Sequence, residues 1–352
     1  MSFHHPHARR TLIVGPSDLD EAVLAQPLIA SLRHYDPRGR IDCLAPAASA
    51  PVFRAMNEID EVLETAVSDH QLRLAVRIRL ALQLARRHYD VAWVLPLPRT
   101  AAIAPWLARI PCHLGTNRPT RRRGDGIRRR PATGGSLARW FAMLPYASLG
   151  LPAPDPAFAA QPPKLGRPPP LAGATRLRLA LDHDRQLFLL SPGSAYGASS
   201  RWPARHFVAL ANLIHGRWPL ARIASVGRDE DREIGRHLHL LSGGRIDNWI
   251  GTVDIDQTMA VMTTADGIVG GESPYLHLAA ALRRPHVVLY GAGDPRAEPA
   301  DDSRRKVMWL RQPCGPCLDS DCRFGHTDCL VRLSPQSVMA ALRQTIGFTP
   351  GA

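Results

Sequence analysis

The chain has 352 residues, 45% of them apolar, 6% aromatic and 21% charged, a globular composition with length enough for two domains of ordinary size. Lysine and arginine number 44 against 31 acidic residues, a formal net charge of +13. That surplus points to anionic partners (nucleic acid, phosphorylated small molecules, an acidic membrane surface) or to an arginine-rich background composition. No stretch approaches about 18 uninterrupted apolar residues, and the N-terminal segment lacks the apolar core of a secretory signal, so a cytosolic protein, at most peripheral to a membrane, is expected.

In chain order, short apolar runs alternate with helical patterns. "TLIV" (11–14) reads as a buried strand, followed by a turn and an amphipathic helix through "LDEAVLAQPLIASLRHY". "RIDCLAP" (40–46) is a strand, "APVFRAM" a short helix and "EVLET" a short strand. Residues 70–89 place leucine, valine and isoleucine at helical spacing with arginines on the other face. "VAWVLP" (91–96) is the next strand and "TAAIAPWLARI" the helix after it. Eight prolines within 152–170 mark an interdomain connection. The alternation then resumes: strands at 187–193, 221–227, "GIVGG" and 286–291, with helices through "ARHFVALANLIHGRW", "DEDREIGRHLHLL", "IDQTMAVMTTA" and "SPYLHLAAAL", and a last helix over 334–346.

This pattern predicts an α/β protein of two doubly wound, Rossmann-like domains with parallel sheets, facing each other across a cleft. The boundaries fall at 1–165 and 176–352, with the proline-rich linker at about 152–175. Ligands of such sheets sit outside the carboxyl ends of the strands, where Gly15, Gly193, Gly227, Gly271 and Gly291 all fall. No G-x-G-x-x-G follows the first strand and no G-x-x-x-x-G-K-[ST] occurs, which disfavours dinucleotide and P-loop readings. No helix-turn-helix or zinc-finger spacing turns the positive charge into specific nucleic-acid binding.

Three stretches carry chemistry. In "IVGGESPYLHLAAAL" (268–282) a strand ends in a tight turn and a helix starts at once, with Glu272 and Ser273 at its mouth and His277 one turn inside. Free N–H groups there make an anion site, although a histidine on so apolar a helix also fits a packed core position. "TRRRGDGIRRR" (120–130) packs six arginines around a Gly-Asp-Gly turn, either as a solvated loop or as a site for phosphates, carboxylates or an anionic membrane surface. Cys43 and Cys112 lie in apolar settings and read as core thiols, whereas Cys314, Cys317, Cys322 and Cys329 form C-x2-C-x4-C-x6-C with His326 inside it. Four thiolates so spaced could hold structural zinc or iron, stay as reduced thiols, or pair as disulfides, the last disfavoured in the cytosol.

Four blocks in one order resemble the bacterial lipopolysaccharide heptosyltransferases of glycosyltransferase family 9, in particular the heptosyltransferase II type. They are "GPSDLDEAVLAQPLIASLRHYDP", "PGSAYGASSRWPARHFVALA", "GGESPYLHLAAALRRPHVVLYGAGDP" and "CGPCLDSDCRFGHTDCL". The resemblance implies a GT-B fold, a C-terminal domain binding ADP-heptose and an N-terminal domain binding a phosphorylated Kdo–lipid A inner-core acceptor. It implies metal-independent, inverting transfer at the inner face of the inner membrane, so that any ion at the cysteines is structural. Carried over residue by residue, it makes Glu21 the general base where the family usually has aspartate. Asp20 beside it, and Arg121, Arg122, Arg123 and Arg128 of the arginine run by their charge, are then expected toward the acceptor. Ser200, beside Arg201, stands where the family usually has a phosphate-binding lysine, and Trp202 and Pro203 match. Glu272, Ser273 and Pro274 stand where an aspartate, a serine or threonine and a glycine are usual. Ser194, Ser200, Arg201, Glu272, Ser273 and His277 would line the donor site, and Glu230 in "GRDEDREIG" would bond the donor's ribose or base. The alternatives are a catalytically silent relative that binds a nucleotide sugar, and a glycosyltransferase with a different donor.

Overall fold

The computed structural model describes residues 10–68, 71–95, 98–115, 136–155, 158, 161–182, 184–194, 197–297 and 303–347. The chain divides into two compact units, Met1–Arg167 and Pro168–Ala352, each with its own parallel sheet.

In the first unit the strand order is β3-β2-β1-β4-β5, with β1 at Arg10–Val14, β2 at Arg40–Pro46, β3 at Glu61–Thr65, β4 at Val91–Val94 and β5 at Cys112–Gly115. Successive strand residues point to opposite faces, so burial of Leu12, Ile13 and Val14 together means that both faces are covered. On one of them Leu12, Val14, Ala92 and Val94 pack with Leu84 of the helix Leu74–Ala85 and Ala104 of the helix Ile103–Leu107. Helix Gln26–Tyr35 packs against helix Leu137–Leu149, joined by a hydrogen bond from Ser31 Oγ to the Ala142 carbonyl (2.9 Å). Strand order reverses between β1 and β4, which makes the carboxyl end of β1 a switch point.

The second unit has the order β11-β10-β9-β6-β7-β8. Its strands are β6 at Leu187–Ser191, β7 at Arg222–Ser225, β8 at Asp247–Asn248, β9 at Gly267–Gly271, β10 at His286–Leu289 and β11 at Arg305–Met308. Every pairing is parallel, and the switch point lies between β6 and β9. Phe188, Leu190, Val269, Val287 and Leu289 pack with Phe207 of helix Ala204–Arg217 and Leu342 of helix Pro335–Ile346. Trp202 is buried in the same cluster, and its indole N–H donates to the Leu333 carbonyl (3.0 Å). Helix Ile255–Met262 starts with a reciprocal cap. Asp254 Oδ1 accepts from the Gln257 N–H (2.7 Å), and Gln257 Oε1 accepts from the Asp254 N–H (3.2 Å).

Among the described residues no helix is long and apolar enough to cross a membrane. The sequence reading assigns no element to the helix Leu137–Leu149, whose internal Pro145 looks like a breaker. The fold keeps it through a Ser136 cap on the Arg139 N–H (3.3 Å), a left-handed Gly150 at its end (φ 64°) and a buried face of Phe141, Leu144 and Tyr146.

Candidate functional site

At the carboxyl end of β1 the chain turns through Gly15–Asp18 into the helix Leu19–Leu24. Asp18 is the cap: its Oδ1 accepts from the N–H groups of Asp20 (2.9 Å) and Glu21 (3.2 Å). The capping work therefore falls to a residue the sequence reading passed over. Asp20 and Glu21 stand half-buried in the first turn, in the field of the helix N-terminus. Arg121, Arg122, Arg123 and Arg128 lie outside the described residues.

In the C-terminal unit, Ser200, Glu272 and Ser273 come together at the ends of β6, β9 and β10. Ser273 is the N-cap of helix Pro274–Ala281, in extended backbone geometry (φ −140°, ψ 156°). Its hydroxyl pairs with Ser191 Oγ (2.8 Å), and no side chain caps the helix. Pro274 brings no N–H of its own to that turn.

Glu272 and Ser200 are both buried, and both are used to build a loop. Glu272 Oε1 accepts from the N–H groups of Gly291 (3.0 Å) and Gly293 (3.1 Å). Ser200 Oγ accepts from the Ala292 N–H between them (3.2 Å). Three consecutive amides after β10 are thus held by two side chains. Gly293 has to be glycine, because a Cβ there would overlap the Glu272 carboxylate. His277 is half-buried one turn inside the helix.

A second group gathers over the ends of β6 and β7. Arg228 Nη2 donates to the Ser194 carbonyl (3.3 Å) and lies 2.5 Å from Glu230 Oε1. Glu230 itself points outward, 64% exposed. The acid that turns inward is Asp231, at 2% exposure. Its Oδ2 accepts from the Arg228 N–H (3.2 Å), while Oδ1 is buried without a hydrogen-bond partner among the described residues. Gly193 and Gly227 make room for it. A Cβ on Gly193 would overlap the carboxylate, and one on Gly227 would come within 3.2 Å of it.

Burial pushes the Asp231 carboxyl above its ordinary value, opposed by the Arg228 N–H and by the charges of Arg228 and Arg201. Burial also pushes the Tyr275 phenol up, helped by the Asp231 charge. Asp231, Tyr275, Arg228 and the exposed Arg201 therefore share one electrostatic environment. Sequence reasoning reached the segment but picked Glu230. The short 3-10 turn Asp229–Asp231, which decides which of three adjacent acids faces inward, leaves no periodic signal.

The expectation of structural zinc or iron at Cys314, Cys317, Cys322 and Cys329 is overturned. Among the described residues no three His, Cys, Asp or Glu side chains are grouped to hold an ion, and all six cysteines are free thiols. The four side chains lie in different settings. The N–H groups of Thr327 and Phe324 lead those drawing the Cys322 thiol below its ordinary value, whereas burial, reinforced by the neighbouring thiols, pushes Cys329 up to about 11. Spacing alone cannot report that difference in surroundings. Cys43 is buried and Cys112 half-buried.

Two doubly wound parallel sheets, each with polar groups gathered at its carboxyl edge, fit the GT-B class of glycosyltransferase fold, and solved glycosyltransferases share this fold over nearly the whole chain. Within that class, the sequence profile of glycosyltransferase family 9 (heptosyltransferase) matches residues 77–328, and the chain belongs to this family. It is 27% identical over 342 residues to the lipopolysaccharide heptosyltransferase 2 of Escherichia coli K12, covering 95% of this chain and 97% of that one. It is 26% identical over 345 residues to the Salmonella typhimurium LT2 protein of the same name, covering 96% and 98%. The solved E. coli ADP-heptose LPS heptosyltransferase II superposes with a TM-score of 0.78 at 23% identity, over 96% of this chain and 98% of that one.

Proposed function

We propose that this chain transfers a heptose from ADP-heptose to the phosphorylated inner core of lipopolysaccharide, with inversion at the anomeric carbon, in the cytoplasm. The observation that carries this reading is the C-terminal sheet edge. A helix without a side-chain cap opens there beside two arginines and a buried carboxylate with an unpartnered oxygen. Such an edge suits a nucleotide diphosphate sugar: the first-turn N–H groups and cations meet the phosphates, and Asp231 accepts from ribose hydroxyls. The names of the similar proteins supply ADP-heptose and lipopolysaccharide as donor and acceptor.

In this reading Glu21 takes the proton from an acceptor hydroxyl. The oxygen attacks the anomeric carbon in line, the carbon–oxygen bond to ADP breaks, and its electron pair leaves on the diphosphate. Arg201 and Arg228 supply the cationic charge at the diphosphate. Ser200 cannot, because it is buried with its hydroxyl on the Ala292 amide. Arg121, Arg122, Arg123 and Arg128 are the cations assigned to the acceptor's phosphates and carboxylates.

The same burial of Ser200 favours a second reading, a protein that binds the nucleotide sugar without transferring it or that uses another donor. ADP release from ADP-heptose with a deacylated Kdo–lipid A inner-core acceptor separates the readings. Acceptor-dependent release, lost in Glu21→Ala with ADP binding intact, supports transfer by Glu21, and equal turnover in that variant removes the base assignment. ADP binding without release from either protein supports the second reading.

A further inference from the structure

We infer that the outer face of the helix Leu74–Ala85, together with the helix Ile103–Leu107 packed on it, docks this protein onto the surface of an anionic phospholipid bilayer. Leu74, Ile78 and Leu82 follow one another at four-residue spacing, a stripe along about 12 Å of helix. All three are exposed, Leu82 at 62%, and Leu72, two residues ahead of the helix, is 56% exposed. On the neighbouring helix Trp106 is 60% exposed and Leu107 lies beside it. These six are close to half of the fourteen large apolar side chains exposed among the described residues, and five of them fall on one pair of packed helices, with Leu72 just ahead of the first. Folding does not require the stripe. The inward side of the helix already fills the core with Leu84 and Leu80 and buries Ala81.

Charge selects the partner. No acidic residue occurs from His70 to Tyr89, nor from Val91 to Gly124. Arg73, Arg79 and Arg86 are exposed on the first helix, and Arg109 just after the second. Arginines flanking a leucine stripe with a tryptophan beside it match an interfacial helix, whose aliphatic stems cover apolar surface while the guanidiniums reach phosphate headgroups. A second copy of this chain is a poor occupant, because a symmetric contact would set arginine against arginine.

The edge of the patch is also braced. Arg77, a buried arginine of the same helix, donates through Nε to the Leu72 carbonyl (2.9 Å) and through Nη2 to the carbonyls of Gln71 (2.7 Å) and Ser68 (3.3 Å). One guanidinium thus holds the turn that presents Leu72. The inference goes beyond the transfer reading and does not depend on it, since a bilayer surface without any glycolipid is enough to test it.

The test is co-sedimentation of the full-length protein with vesicles of phosphatidylglycerol and phosphatidylethanolamine, and with phosphatidylcholine alone, at low and high salt. The wild type is expected on the anionic vesicles only. The combined Leu74→Ser, Ile78→Ser, Leu82→Ser variant should bind at least about tenfold more weakly. The combined Arg73→Gln, Arg79→Gln, Arg86→Gln variant should bind on the order of a hundredfold more weakly and lose most of the salt dependence. Leu240→Ser with Leu241→Ser, exposed residues of helix Arg232–Leu241, should bind like wild type. All variants should release ADP from donor and deacylated acceptor at whatever rate the wild type shows.

Absence of wild-type binding overturns the inference, as does unchanged binding of the leucine variant or equal weakening of the Leu240/Leu241 control. A wild-type dimer abolished by the leucine changes, with no vesicle binding, would assign the face to a second copy and overturn it too. If the triple variant melts early, Leu82→Ser and Trp106→Ser singly, each more than half exposed, carry the comparison under the same criteria.

Discussion

Asp231 shows how much hangs on one side chain in this protein. Burial holds its carboxyl above the ordinary value, so the folded state resists its charged form. The linkage then has a definite sign. The penalty is absent well below the unfolded value of 3.8, grows as pH rises above it and is complete once pH exceeds the higher folded value. Asp231→Asn should therefore melt at or above the wild-type temperature at neutral pH, with the difference vanishing in acid. ADP affinity should nevertheless fall about tenfold or more in the same variant, read by calorimetric titration. A lower melting temperature with unchanged ADP affinity would make Asp231 a packing residue. The cysteines offer a second contrast of surroundings. Near pH 8, Cys322 should be alkylated by iodoacetamide well before Cys329, whose thiol is pushed up to about 11. Peptide mass spectrometry over a time course checks the order.

The elements around these residues divide labour between the two edges of each sheet. At the carboxyl edge of the second sheet, Glu272 and Ser200 fasten three amides of one loop. Glu272→Ala strands two buried N–H groups at once and should destabilise the fold by about 2–5 kcal/mol, with Ser200→Ala nearer 1–3 kcal/mol. Urea unfolding followed by circular dichroism gives both numbers. At the amino edge of the first sheet, Asp42 is buried and accepts from Tyr89 Oη (2.7 Å) and Arg40 Nε (3.0 Å), while Arg87 pairs with Glu61 (2.7 Å). The Arg87 hydrogen bond leads in drawing the Glu61 carboxyl below its ordinary value. Its contribution is present above the unfolded value of about 4.5 and is lost as pH falls through the lower folded value. Glu61→Gln should accordingly flatten the acid limb of stability below about pH 4.5, as thermal melts between pH 3 and 6 would show. This network faces away from the ligand edge of its sheet, so the same variant should leave ADP binding unchanged.

Across the chain, the charge of +13 and the two sheets divide the proposed reaction into separable parts. Glu21 belongs to the first unit, and Asp231, Arg201 and Arg228 to the second. Substitutions in the first should thus remove turnover without removing nucleotide binding, and those at Asp231 should do the reverse order of damage, binding before chemistry. Glu21→Ala is the sharper case: acceptor-dependent ADP release should disappear while calorimetric ADP affinity stays within about twofold. Similar losses of both quantities would deny that split and return Glu21 to a structural role at its helix start.

Much of the molecule was legible in the amino-acid order because its signals are local. Apolar runs such as "TLIV", "LFLLS" and "GIVGG" are buried on both faces and read directly as strands β1, β6 and β9. Strands β5, β8 and β11 escaped because "CHLG", "DN" and "RKVM" are short or polar and exist through their neighbours' hydrogen bonds. The position of Glu272 at a strand end was likewise readable, since a strand, a turn and a helix start leave a pattern, whereas Glu21 and Ser200 were singled out by the family resemblance alone. What those side chains do was not. Which of three adjacent acids turns inward, which carboxylate holds a loop and whether four cysteines share one centre depend on residues far apart in the chain, brought together only by folding. Local periodicity determined the elements and their order; long-range packing decided the partners of every group at the site.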